Sequence, residues 1–374
     1  MYKVLFTSDY EIHGSGMGSP RELIVDPTTR MLDQFDRYGA KLTIMADIGE
    51  ILKLKEYAER TGHDRFDWGG ISQQMQRAVR TGHDVQLHIH SSYFNAKWNE
   101  TKQYWEQDYA EYDLANVPYE RLRHMIREGK NLLETTCRGA KADYECFAFR
   151  AANWSMHPSP TIVRALIDEG FRIDTSVWKY GRYDDLVKFD YGAAYSDLVP
   201  WPIDGADVCR RDPDGRLFEF PIYTERQPLW AFLTANRVYR VVAQRLNPLP
   251  NPDAVIDPMA SAGAPTGARR SLAAKVFDKA KMLVRQHPWK MDFNQCTGKQ
   301  LIDGLLRAEA RYGHPDVALP FVLIGHSKTF TRHNERSLRP FLEFVQKHSD
   351  RFTFGTFGDF DAERYRHELV AKAA

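Results

Sequence analysis

The feature that most constrains this chain is its alternation of short, apolar, β-rich runs with stretches of helical period. YKVLFTSDYE opens the chain as a strand buried on both faces. A helix follows over 27–38, with Asp26 as the expected N-cap before Pro27 and Gly39 as the stop. AKLTIMA reads as the second strand and IGEILKLKEYAERTG as the next helix. ISQQMQRAVRTG is a further helix leading into the strand DVQLHIH. The tetrapeptide TGHD recurs at Thr61 and Thr81, each time as a helix-stopping glycine and turn rather than a domain-scale repeat. The rhythm continues with a helix over 119–136, the strand ECFAFR, the helix PTIVRALIDEGF and the strands RIDTS and RLFEFPIY. It closes with the strongly apolar strand LPFVLIGH, the helix NERSLRPFLEFVQKH and a short strand in RFTFGTF. Strands alternating with helices predict an α/β fold with a mainly parallel sheet or barrel. In such folds chemistry collects at the C-terminal ends of the strands.

One segment breaks this rhythm. Residues 226–290 hold two helix-like runs, LWAFLTANRVYRVVAQRL and SLAAKVFDKAKMLVRQ, around a Pro-, Gly- and Ala-rich middle. The segment carries 11 Lys and Arg against 3 Asp, so it reads as a basic, helical insertion into a single domain over 1–374, its middle (247–266) a poorly ordered loop. Its basic helices could face a membrane surface or an anionic glycan, although such charges are more often the solvated side of a helix. The whole chain has 51 Lys and Arg against 50 Asp and Glu, which argues against a protein whose main task is gripping nucleic acid. Cys137, Cys146, Cys209 and Cys296 form no CxxC pair and read as reduced thiols. No apolar run approaches the roughly 20 residues that span a bilayer. The first apolar stretch is too short for a signal peptide, so the expected compartment is the cytoplasm.

The polar residues at strand ends are the candidates for chemistry. Alternation puts Asp9, Glu11 and His13 on one side of the first strand, and Gln86, His88 and His90 on one side of DVQLHIH. If those strands are neighbours, carboxylates and imidazoles converge, the ligand chemistry of a catalytic zinc or similar divalent ion. A single strand-end histidine often does no more than bond backbone; two adjacent clusters favour the functional reading. Arg150, Asp174 and His326 end or lie in three other strands. HGSGMGSP lacks the Gly-Lys-Ser/Thr of a Walker A loop, and Pro20 intervenes before the helix, so it reads as a surface loop. Tyr93, Trp98, Tyr104 and Trp105 cluster in one stretch, either as faces for a sugar or as ordinary packing.

The set and order of these motifs resembles the polysaccharide deacetylase (NodB-homology, carbohydrate esterase 4) family. FTSDYE resembles its T-x-D-x-[DE] opening strand and KLTIMA its second. GHDVQLHIHSS resembles the metal segment; FRAANWS, RIDTSVW and FEFPIY are similar to later motifs, and FVLIGHS to the closing strand. The resemblance implies a distorted (β/α) barrel and a metal-dependent enzyme that removes an N-acetyl group from a sugar. It implies Asp9 as catalytic base, Arg150 as the residue orienting that base, and His326 as general acid. Glu11 and His88 are the implied metal ligands. The family's second imidazole falls four residues after His88, where this chain has Ser92; His90, on the same strand face, is the expected substitute. Tyr10 stands at the family's other metal-carboxylate position. The expected cofactor is a divalent metal, zinc first, and His13 or Asp9 could complete its ligands. The expected partner is a carbohydrate, as an N-acetylated sugar, sugar nucleotide or lipid-linked glycan in bacterial surface-polysaccharide (for example O-antigen) biosynthesis. The alternatives are a metal-depleted carbohydrate-binding or scaffolding protein on the same fold, which Ser92 favours, and another C–N hydrolase acting on a small molecule.

Overall fold

The computed structural model describes residues 1–12, 18–246, 286–313, 316–361 and 364–366. Its centre is β1 (Tyr2–Tyr10), nearly all buried, which explains its unbroken apolar composition. β2 (Leu42–Asp47) and β3 (Asp84–Ile89) follow in parallel beside it. Beyond a small hairpin of β4 (Lys97–Asn99) and β5 (Tyr104–Glu106), the sheet continues through β6 (Ala148–Ala151) and β7 (Ile173–Asp174). After a second hairpin, β8 (Arg182–Asp184) with β9 (Lys188–Asp190), come β10 (Trp201–Asp204), β11 (Asp207–Arg211) and β12 (Phe218–Glu219). β13 (Thr224–Pro228) and β14 (Gln286–Lys290) form a separate antiparallel ribbon. β15 (Leu319–His326) pairs with β1 over the whole length of its register, and β16 (Phe352–Phe354) wedges against the start of β1 on the other side.

The resulting ten-stranded sheet runs β11-β10-β12-β7-β6-β3-β2-β1-β15, with β16 beside β1, and is parallel except at β10 and β11. It curls until single bridges, Ile222 to Val322 and Asp292 to Ile324, join later segments to β15. This is the α/β, distorted (β/α) barrel expected from the strand–helix alternation. The sequence reading did not name the antiparallel β10–β11 edge, and RIDTS and RLFEFPIY give only two strand residues each.

Among the described residues the helices are α1 (Asp26–Tyr38), α2 (Ile48–Thr61), α3 (Trp68–Arg80), α4 (Tyr119–Arg138), α5 (Pro160–Asp168), α6 (Ala235–Leu246), α7 (Gly298–Tyr312) and α8 (Arg332–Lys347); all fall in segments of helical period named above except α7, which the sequence reading did not name. Phe35 of α1 and Phe341 of α8 pack on Phe6 of β1, with ring centres 4.5 and 6.0 Å away. Gly39, Gly62 and Gly82 have φ of 67°, 70° and 81°, the left-handed conformation that lets a chain leave a helix, so both TGHD copies are stops as expected. Asp26 is not an N-cap. A π-helical turn, Arg21–Val25, runs into α1, and Val25 and Asp26 already have helical backbone angles.

The two ends of the 226–290 segment are tied down. β13 and β14 pair from Thr224–Lys290 to Pro228–Gln286. Thr234 and Asn236 donate hydrogen bonds to the carbonyls of Gln295 and Cys296, both at 2.7 Å. The expected mobile loop over 247–266, the second helical run and most of HGSGMGSP, including His13, lie outside the described residues. Among the described residues no helix is long and apolar enough to cross a membrane. All four cysteines are buried and unbridged.

Candidate active site

Strand register assembles the site. Asp9 of β1 lies opposite His326, the last residue of β15; on the other flank Asp47 of β2 lies opposite His88 of β3, and His88 opposite Arg150 of β6. Asp9 pairs with Met45 of β2, so these five residues, scattered over the sequence, sit on two register levels two residues apart at the C-terminal ends of five strands. Alternation turns Asp9 and Glu11 into the barrel mouth and sends Tyr10 into the apolar core, so the tyrosine is no candidate ligand. The mouth is a cleft of about 290 Å³ lined by Asp9, Glu11, His88, His90, Trp154 and His326, among others.

One half of the site is built around Glu11. Its Oε2 lies 3.1 Å from His88 Nε2 and 3.4 Å from His90 Nδ1. One ligand atom from each of Glu11, His88 and His90 falls within 4.8 Å of the others, and all three residues are buried. A carboxylate and two imidazoles form the donor set of a zinc-type ion, so these residues fit the expected metal. Their supports are in place. The Arg150 carbonyl accepts from His88 Nδ1 at 2.9 Å, which turns Nε2 toward Glu11. Asp47 holds His90 twice, accepting its backbone N–H at 3.0 Å and facing its Nδ1 at 3.0 Å. The remaining Glu11 oxygen faces the Lys328 ammonium at 2.9 Å. Burial pulls the His88 imidazole down, but Asp9 and Glu11 outweigh it and push it up to about 9. Without an ion, His88 therefore carries its proton at neutral pH. Ser92 sits on the 3-10 turn Ser91–Tyr93 after β3 and donates to Gln107 at 2.8 Å, away from this cluster. His90, and not Ser92, joins Glu11 and His88 in the cluster.

The other half is built around Asp9. Arg150, wholly buried, donates from Nη1 to Asp9 Oδ1 at 2.7 Å, from Nη2 to Thr7 Oγ1 at 2.8 Å and from Nε to the Thr175 carbonyl at 3.0 Å. Burial raises the Asp9 carboxyl, yet Arg150, with His88 and His326, overcomes this and keeps it below its ordinary value. Asp9 Oδ2 faces His326 Nε2 at 3.6 Å. Burial lowers the His326 imidazole despite Asp9, and its backbone N–H is anchored on Asn294 Oδ1 at 2.7 Å.

Other strand-end residues serve the scaffold. Gln86 accepts from the Phe147 and Ala148 N–H groups at 2.9 and 2.8 Å and joins β3 to β6. Asp174 accepts from Ser176 at 2.7 Å and lies beside Glu219; burial pushes both carboxyls up. Tyr93, Tyr104 and Trp105 are buried, and Trp98 packs against Phe66 at 4.8 Å between ring centres, so this aromatic stretch is packing and not a sugar platform. Sequence reasoning missed Asp47, Lys328 and Asn294. Asp47 did carry a signal, an acidic residue at the end of the apolar strand AKLTIMA. Lys328, on the turn after β15, carried none.

No protein-family model matches the chain, and no curated protein matches it in sequence. Solved structures match it in fold. A Parabacteroides distasonis protein provisionally described as a glycoside hydrolase/deacetylase aligns over 96% of this chain and 69% of its own, at 11% identity and TM-score 0.52. The 4-alpha-glucanotransferase of Thermococcus litoralis aligns over 96% of this chain and 40% of its own, at 10% identity and TM-score 0.50. A Mycobacterium smegmatis protein provisionally described as a polysaccharide deacetylase aligns over 99% and 91%, at 15% identity and TM-score 0.49. The class defined here is one of fold: a distorted (β/α) barrel of the NodB-homology type.

Proposed function

We propose that this chain is a metal-dependent hydrolase that removes an N-acetyl group from a sugar. The observation that carries the reading is the juxtaposition of two units at one barrel mouth: Asp9 clamped by Arg150 at 2.7 Å and facing His326, beside the Glu11–His88–His90 ligand set. A divalent ion held by those three residues supplies Lewis acidity and lowers the pKa of water at an open position. Arg150 occupies Asp9 Oδ1, which leaves Oδ2 to take a proton from the attacking water. His326 Nε2, 3.6 Å from Oδ2, is placed to receive that proton and deliver it to the departing amine nitrogen. Its lowered pKa suits this order, because the imidazole begins neutral and is protonated only during turnover. Arg150 is a positioning residue throughout. The motif resemblance alone extends the proposal to a surface-polysaccharide precursor, such as one for O-antigen.

The second reading is a carbohydrate-binding protein that works without metal. Lys328 favours it, since its ammonium already places a positive charge 2.9 Å from Glu11. Metal content together with acetate release from N-acetylated sugars separates the two. The hydrolase carries close to one equivalent of ion and loses both ion and acetate release in His88→Ala. Protein that stays metal-free in added zinc yet binds the sugar identifies the binding protein.

A further inference from the structure

We propose that a second cleft beside the candidate active site receives the phosphoryl group of a glycosyl phosphate or diphosphate whose N-acetyl sugar occupies the first. The proposal rests on the deacetylase reading and names the substrate class for it. The second cleft has a volume of about 560 Å³ and is walled in part by Trp178, Tyr180, Arg182, Arg226 and His287. A single layer of side chains divides the two. Trp154 lines the first cleft and Trp178 the second, and their rings meet edge to face with centres 5.9 Å apart. The Lys290 ammonium contacts both, 3.3 Å from the centre of Trp154 and 4.5 Å from that of Trp178. All three side chains are part-exposed, so the layer is a ridge, and the anomeric substituent of a sugar in one cleft can cross it into the other.

The chemistry of the walls selects an anion. The Arg226 guanidinium lies over the Tyr180 ring at 4.2 Å, and among the described residues no carboxylate comes within ion-pair distance of it. Stacking fixes the plane of the fork and leaves its N–H edges for a phosphoryl oxygen. Among the described residues Arg182 pairs only with Asp190, 3.7 Å away, with both side chains more than half exposed, a pair that water screens and a stronger anion displaces. His287 adds an imidazole, and among the described residues Asp190 is the one carboxylate on these walls. The backbone is held in a costly conformation at the same place: Asn153, Trp154 and Tyr180 have φ of 51°, 55° and 69°. Phosphoryl oxygens match the two guanidinium groups. The aromatic faces suit a flat or apolar group beyond the phosphate, which a nucleoside diphosphate and a prenyl diphosphate both provide.

Calorimetric titration tests this without turnover. The probes are an N-acetylhexosamine, its 1-phosphate, its nucleoside diphosphate and its short-chain prenyl diphosphate. The proteins are wild type, Arg226→Met and the double variant Arg182→Met/Arg226→Met. Both arginines are exposed, so unchanged thermal midpoints verify folding. The expected result is that the 1-phosphate binds about tenfold or more tightly than the free sugar. That gain falls with added salt and disappears in the double variant, while free-sugar affinity stays constant. The tighter of the two diphosphates identifies the source. Equal affinity for sugar and 1-phosphate overturns the proposal, as does a gain that survives in the double variant or equal binding of a carboxylated sugar. The two readings fail separately. Arginine-dependent phosphate binding with no acetate release from any probe removes the deacetylase and leaves the cleft; acetate release indifferent to phosphate and to both arginines does the reverse.

Discussion

Replacing Arg150 with Met should unmask how much of this fold's stability is tied up in holding one carboxylate ionised. Arg150 is fully buried and Asp9 is 3% exposed, so the variant leaves Asp9 with no solvent to turn to. The carboxyl then either stays charged or takes a proton. Staying charged is the broken buried ion pair, which costs about 3–5 kcal/mol. Protonating a group whose ordinary value is 3.8 costs about 4 kcal/mol at pH 7. The two routes agree, and the destabilisation should be roughly 4 kcal/mol at pH 7. The sign of the pH dependence follows. In the wild type the Asp9 carboxyl is lowered, so its contribution is complete above 3.8 and is lost as pH falls through the folded value. In Arg150→Met it is raised by burial, so the penalty is largest at high pH and fades as pH falls through the new value toward 3.8. The gap between the two proteins should therefore narrow from pH 7 to pH 4.5, read by urea denaturation at both. Asp9→Asn in the Arg150→Met background should restore about half of the loss, because no charge is then buried. A loss under about 1 kcal/mol, a gap that widens in acid, or no rescue by Asp9→Asn would refute the reasoning.

Three further outcomes follow from the ligand cluster. Lys328→Met removes a positive charge beside Glu11, so zinc affinity measured against a competing chelator should rise roughly tenfold; a fall would show that Lys328 serves as a support for the ligands. Zinc must displace the His88 proton, whose imidazole is pushed up to about 9, so affinity should climb about tenfold per pH unit between pH 6 and 8, and a flat profile would contradict the raised value. Ser92→Ala should leave ion binding and acetate release within about twofold of wild type, since losing its single exchange with Gln107 costs roughly 1 kcal/mol of stability; loss of the ion would mean that Ser92 matters to the site.

The legible part of this protein was what depends on sequence period and strand ends. The period of two in DVQLHIH put His88 and His90 on one face, and their rings lie 5.0 Å apart there. The apolar runs of β1 and β15 predicted buried neighbours, and full-length register between them brings Asp9 to His326. What escaped was set by three-dimensional pairing. Asp47 matters because β2 meets β3 in a register that places it beside His90, which no local pattern encodes. Lys328 reaches Glu11 across 317 positions of sequence. The aromatic stretch misled because Trp and Tyr serve equally well as sugar faces and as packing, and only the burial of Tyr93 and Trp105 decides between them.

The contact between Lys328 and Glu11 also bears on the order of events in the protein's life. A site built only of an acid and neutral imidazoles would bury an uncompensated charge until an ion arrived, and its folding would depend on metal supply. Here Glu11 meets an ammonium on one oxygen and an imidazole on the other, at 2.9 and 3.1 Å. The barrel can therefore close around a charge-balanced mouth, and on the metal-dependent reading proposed above its folding need not wait for an ion. On that reading, ion supply would set how much of a standing pool is active, and not how much of it exists.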